Sequence, residues 1–155
     1  MINYRLDRGS AIFEILIVIA IVAVVITSVV ASTTGSVRNS LHARYQAEST
    51  RRGQELVEWL RGERDTSWAT FAARAGGGAG TTYCFGDTLA WTSSSCSGAG
   101  AGAISGTVYT RSVTMRQTTT VTANDTVEIV VSVNWTDGTG AHTSRVSTRL
   151  TSWNN

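Results

Sequence analysis

The sequence predicts an α+β protein: one long N-terminal helix, apolar in its first half and amphipathic in its second, packed on a small antiparallel sheet of about three to four strands. Three observations predict it. Residues 11–31 form an apolar run broken by a single ionisable side chain, Glu14. Beyond that run, Val37, Leu41, Tyr45, Glu48, Leu56, Trp59 and Leu60 fall at three- and four-residue steps, the period of one helix face. From Gly106 the period changes to two, the spacing of strands with one buried face.

The apolar run comes first. About 20 residues at about 1.5 Å each span a hydrocarbon layer. A secretory signal would carry a shorter apolar region ending in a small-residue cleavage site, whereas here the helical pattern runs on past the end. Arg5 and Arg8 precede the run, as at a cytoplasmic N-terminus, but Arg38 and Arg44 follow it, so the charge asymmetry across it is small. A carboxylate at the centre of a bilayer costs about 2.5–3.5 kcal/mol on insertion scales. Glu14 stands near one end, where it reaches the interface and where the helix dipole favours an acid.

The residues just before it read Arg8, Gly9, then Ser10-Ala11-Ile12-Phe13-Glu14. This arrangement resembles the class III signal of type IV prepilins and type II secretion pseudopilins: a short basic leader ending in Gly, Glu at the fifth mature position, and an uninterrupted apolar helix. The resemblance implies a leader over residues 1–9, cut by a prepilin peptidase between Gly9 and Ser10 on the cytoplasmic side. Ser10 then takes the position that is N-methylated in the family, although phenylalanine is usual there. The resemblance further implies that the new amino group of Ser10, cationic at neutral pH, pairs with Glu14 of a neighbouring subunit. Two opposite charges buried together attract strongly, whereas either alone is costly. The implied partners are the peptidase, other pilin or pseudopilin subunits, membrane lipid and an inner-membrane assembly platform. The implied location is the bacterial inner membrane, single pass with an extracytoplasmic head, and an extracellular filament after assembly.

The organisation that follows is a leader (1–9), a transmembrane or filament-core helix (10–34), an amphipathic second half (35–62) and a β-rich head (63–155). Gly35-Ser36 marks the exit from the apolar zone. Gly53 costs about 1 kcal/mol against Ala without breaking the helix. Gly62, after Arg61, is the expected stop. A helix from Ser10 to about Arg61 would be on the order of 78 Å long; a domain of this size cannot bury it, so its first half belongs in a membrane or among copies of itself. DTSWATFAARAG predicts a short second helix capped by Asp65 or Thr66, with Trp68 and Phe71 on one face as core residues. The preceding block resembles the head entry of pilin-like proteins.

Residues 76–106 read as loop, rich in Gly and Ser and bracketed by Cys84 and Cys96. If this part of the chain is extracytoplasmic, the two cysteines form a disulfide; otherwise they are separate thiols. The glycines lack the Lys and the strand–loop–helix setting of a phosphate loop. GTVYTRSVTMRQ then alternates, with Tyr109, Arg111, Val113 and Met115 on one face. TVEIVVSVNW does the same with Val127, Ile129, Val131 and Val133, and TDGTG is a hairpin turn. HTSRVSTRLTSW supplies a final strand ending near Trp153. The pattern V-x-W-T-D-G before a last strand also resembles minor pilins of the pilus-modification type.

The chain offers little for catalysis. His42 and His142 are its only histidines, and no metal-ligand spacing or nucleophile motif surrounds them. Asp87, Asp125 and Asp137 lack the fixed spacing of a calcium loop and read as turn carboxylates. No enzyme activity, metal or cofactor is expected. A net charge of +2 over 155 residues carries no preference for nucleic acid. Arg51, Arg52, Arg61 and Arg64 are interleaved with Glu48, Glu55, Glu58, Glu63 and Asp65, so they read as a salt-bridged helix face. The alternative to a filament subunit is a tip or minor subunit, in which that face or loop 76–106 contacts DNA, a surface or a secreted substrate.

Overall fold

The computed structural model describes residues 8–91, 94–98, 100–118 and 126–152, with side chains described from Ala11 onward except that of Thr118. Among these residues it holds α1 (Arg8–Thr66), β1 (Thr81–Cys84), β2 (Thr110–Thr118), β3 (Thr126–Asp137), β4 (Gly140–Thr151) and a short α2 (Trp68–Ala72). The fold is α+β, the long helix packing on a four-stranded antiparallel sheet of order β1-β2-β3-β4. The chain divides into two compact units, Met1–Arg44 and Tyr45–Asn155.

In the first unit the helix has no apolar core of its own. Every described residue from Ala11 to Arg44 is exposed. The hydroxyl-bearing residues toward the end of its apolar run bond to the helix backbone. Thr27 Oγ1 donates to the carbonyls of Ala23 and Val24, Ser28 to Val25, Thr33 to Val29 and Val30, and Thr34 to Val30. These bonds satisfy polar groups that would otherwise be costly in an apolar surrounding.

In the second unit the helix turns a narrow face to the sheet. Ser49, Gly53, Leu56, Val57 and Leu60 are buried, at three- and four-residue steps. Gly53 is what brings the two layers together. A Cβ there would lie 3.1 Å from Val146 Cγ2 and 3.8 Å from Val131 Cγ1 and Val133 Cγ2, so the bare backbone rides directly over a row of valines. That row crosses the sheet in register, Val113 facing Val131 and Val131 facing Val146. The inner face continues with Tyr109, Met115, Val127, Ile129, Val133, Trp135 and Leu150, all buried. The alternation read along both hairpin strands is therefore the one that sorts inner from outer face. At the β3–β4 turn Asp137 pairs with Gly140 across Gly138 and Thr139. Asp137 Oδ1 accepts hydrogen bonds from Thr139 N at 2.7 Å and Thr139 Oγ1 at 2.6 Å.

Three expectations are corrected. The helix does not stop near Arg61–Gly62 but runs to Thr66. Gly62 faces open space, its modest cost offset by Leu60 in the core, an Arg61–Glu58 ion pair and Thr66 Oγ1 donating to the Gly62 carbonyl. The short helix is capped by Ser67 rather than Asp65 or Thr66, since those two residues are still helical; Ser67 Oγ accepts from Thr70 N. Residues 76–106 are not loop throughout. Thr81–Cys84 pairs antiparallel with Ser112–Met115 of β2 and adds a fourth strand, too short for its period to stand out in the sequence. Residues 1–7 of the expected leader, Asp125 and Trp153 lie outside the described residues.

The helix-to-sheet contact sets a stability test for the full chain in detergent micelles, followed by tryptophan fluorescence in urea. Leu60→Ala is expected to cost about 2–5 kcal/mol. Gly53→Leu, which forces bulk between helix and valine row, is expected to cost about 1–3 kcal/mol. Unchanged unfolding midpoints would contradict the packing described.

Candidate functional site

Two regions depart from ordinary domain chemistry: the exposed apolar helix and the polar centres that tie the head together. In the helix, the large apolar side chains from Ile12 to Val30 are 49–69 % exposed. An 18-residue window there has a mean hydropathy of 3.0 and none of it is buried. The helix is thus long and apolar enough to cross a membrane. Glu14 is exposed among Ile12, Phe13, Ile15 and Leu16. Fully burying one such side chain contributes about 1.5–3 kcal/mol. Leaving more than a dozen in water therefore forgoes tens of kcal/mol, more than the whole net stability of a typical domain. Among the described residues nothing covers this surface.

In the head the central polar residue is Arg111, 2 % exposed. Its Nε donates to the Phe85 carbonyl at 3.3 Å and its Nη2 to the Gly86 carbonyl at 2.8 Å. Its Nη1 donates to the Arg52 carbonyl at 3.1 Å and to Glu55 Oε2 at 3.3 Å. One guanidinium thereby joins helix α1, strand β2 and the connection after β1, using the fork geometry only arginine offers. Burial pulls its pKa below the ordinary guanidinium value, and Glu55 opposes that shift. The backbone beside it is equally close-set: Arg111 N donates to Gly102 O at 2.8 Å, and a Cβ on Gly102, whose φ is +74°, would collide with the Arg111 carbonyl.

Cys84 and Cys96 form a disulfide, with Cα atoms 4.9 Å apart. The segment it closes carries Trp91, whose ring lies 5.1–5.5 Å from those of Trp59, Tyr83 and Phe85. Trp91 Nε1 donates to Glu63 Oε2 at 2.6 Å, and the Arg74 guanidinium lies 4.3 Å from the Trp91 ring centroid. Phe71 is buried, whereas Trp59 and Trp68 are partly exposed and pack against the core.

The arginine-rich helix face is internally neutralised. Arg51 and Arg52 both reach Glu48, Arg61 reaches Glu58, and Arg64 reaches Asp65. The Arg51 hydrogen bond holds the Glu48 carboxyl below its ordinary pKa. On the outer sheet face Glu128 is held low in the same way, first by Arg116. Of the turn carboxylates, Asp87 accepts from Ser105 N at 2.9 Å. Asp137 is held well below the ordinary carboxylate range, first by the Thr139 hydroxyl, then by the Thr139 N–H and His142.

Gly9 and Ser10 lie within the first turns of α1. Glu14 follows on the same helix, and the cysteines come together as a bonded pair in the head. Sequence reasoning does not single out Arg111 as a site, though the alternation puts it on one face with Tyr109, Val113 and Met115, the face that is buried. A charge at a core position was the available signal. Comparison with protein-family models, with curated proteins and with solved structures returns no match.

The depressed pKa of Asp137 gives a pH dependence of definite sign. A carboxyl whose folded pKa lies below its unfolded value of about 3.9 contributes stability in full above that value and loses it as the pH falls toward the folded pKa. Below about pH 4 the wild-type chain is therefore expected to lose stability more steeply than Asp137→Asn, as read from urea midpoints against pH. Equal slopes would contradict the assignment.

Proposed function

We propose that this chain is a structural subunit of a type IV pilus or type II secretion pseudopilus. In this reading it is held in the inner membrane by the apolar part of α1, cut after Gly9 and polymerised through that helix. The observation that carries the reading is an apolar helical surface, 49–69 % exposed, that the described residues leave uncovered. Lipid covers it before assembly and neighbouring subunits cover it afterwards. Glu14 supports the reading because it is the one carboxylate in that surface, at the spacing from Gly9 that the prepilin signal requires. In the subunit embedded in lipid it reaches the interface; in a filament it meets the amino group of Ser10 from another copy.

The disulfide is consistent with an extracytoplasmic head, since such bonds persist in oxidising compartments. The alternative of a DNA- or substrate-gripping tip subunit loses one of its two candidate contacts, because the arginines of the helix face are already paired with carboxylates. The proposal assigns the head no enzymatic role.

Two variants test the proposal in cells that carry the assembly machinery. Replacing Gly9 with a bulky residue is expected to leave an unprocessed precursor, visible as a larger band in membranes. Glu14→Ala is expected to be processed normally, as judged by mass spectrometry of the N-terminus, yet to yield at most about one-tenth of the wild-type filament, the loss that one missing interaction of about 1.4 kcal/mol would produce. Normal filaments from Glu14→Ala would overturn the pairing.

A further inference from the structure

From the residues following the apolar run, we infer that positions 36–44 of α1 form a basic collar that docks on the anionic phospholipid headgroups of the leaflet next to it. This rests on the proposal that α1 is embedded in a membrane. Between Glu14 and Glu48 the charged side chains are Arg38 and Arg44. The chain as a whole is nearly neutral, but this stretch carries no acid at all. Arg38 and Arg44 are exposed and, among the described residues, take part in no ion pair. Every other arginine on α1 in the described head (Arg51, Arg52, Arg61 and Arg64) has a carboxylate partner. The contrast along one helix is between charges neutralised within the protein and charges left for something outside it.

Depth along the helix identifies the occupant. A hydrocarbon layer of about 30 Å holds about 20 residues at 1.5 Å each. Set with Glu14 at one boundary, where a carboxylate reaches the interface, it extends from about residue 13 to about residue 32. The Thr33 and Thr34 hydroxyls, already bonded to backbone carbonyls, then stand at the other. Arg38 follows about 9 Å beyond that boundary. Helical side chains lean toward the N-terminus, here back toward the membrane, and a long arginine snorkels across the remaining distance to a phosphate. Arg44 stands about 9 Å further out, near the limit of the Debye length at physiological ionic strength. Val37 and Leu41, 59 % and 48 % exposed, lie one turn apart on a common face and extend the apolar surface into the headgroup layer. Apolar residues on one side with arginines flanking them make the pattern of an interfacial amphipathic helix. The collar would therefore set the depth of the helix before extraction, with Arg38 as its main contact.

The test uses the full chain in nanodiscs loaded with one copy each, which removes neighbouring subunits as an alternative cover. Amide hydrogen exchange is compared between discs of phosphatidylcholine alone and discs enriched in phosphatidylglycerol. Exchange over 36–44 is expected to slow by about fivefold or more in the anionic discs, the factor a single arginine near such a surface contributes. High salt should abolish the difference. Arg38→Gln should remove most of it and Arg44→Gln less. Equal exchange of 36–44 in both discs, with 11–34 protected, would overturn this inference and leave the membrane reading standing. Free exchange of 11–34 in both would overturn the two together.

Discussion

The head depends on a close approach between a helix face and a sheet face, and the approach depends on a residue without a side chain. Gly53 sits where the helix backbone passes over Val131, Val133 and Val146. Ser49 on one side and Leu56 and Leu60 on the other are fully buried as a result. Bulk beyond a methyl at that point would press on those valines, and dispersion contacts lose a quarter to a half of their strength with a gap of about 0.5–1 Å. The usual cost of glycine in a helix is the smaller quantity here, because the contact it permits recruits the whole inner face of the sheet.

That close approach also explains the buried arginine. With the helix held over β3 and β4 at Gly53, the Arg52 carbonyl and Glu55 come within reach of Arg111, and the connection after β1 supplies the Phe85 and Gly86 carbonyls. A buried cation is tolerable only when its donors are used, and here four acceptors surround it. The disulfide and the Trp91–Glu63 hydrogen bond hold the neighbouring segment. The result joins three elements through polar contacts while the apolar core does the general work of collapse.

The apolar helix of the first unit follows a different rule. It is hydrophobic on all sides, so no single face is marked for its own chain. The hydroxyls of Thr27, Ser28, Thr33 and Thr34 are bonded to its backbone, and its one carboxylate stands near the start. The two units thus treat apolar surface in opposite ways: one buries it against itself, the other leaves it exposed.

The two periodicities, 3.6 in the first part of the chain and 2 in the last, are local properties, so the sequence by itself determined the helix-then-sheet architecture, the inner and outer faces of β2 and β3, and the hairpin at Asp137. The apolar run, Glu14 within it and the cysteine bracket were equally plain, since each is a matter of composition along the chain. What only the tertiary structure decided were the features whose energetics come from distant partners. Helix α1 outlasts Gly62 because core contacts and ion pairs outweigh a weak local preference. Thr81–Cys84 becomes a strand because β2 offers it a hydrogen-bonding edge, which four residues of sequence cannot announce. Arg111 is a structural centre rather than a surface charge because the helix above it, held close at Gly53, brings Arg52 and Glu55 within its reach.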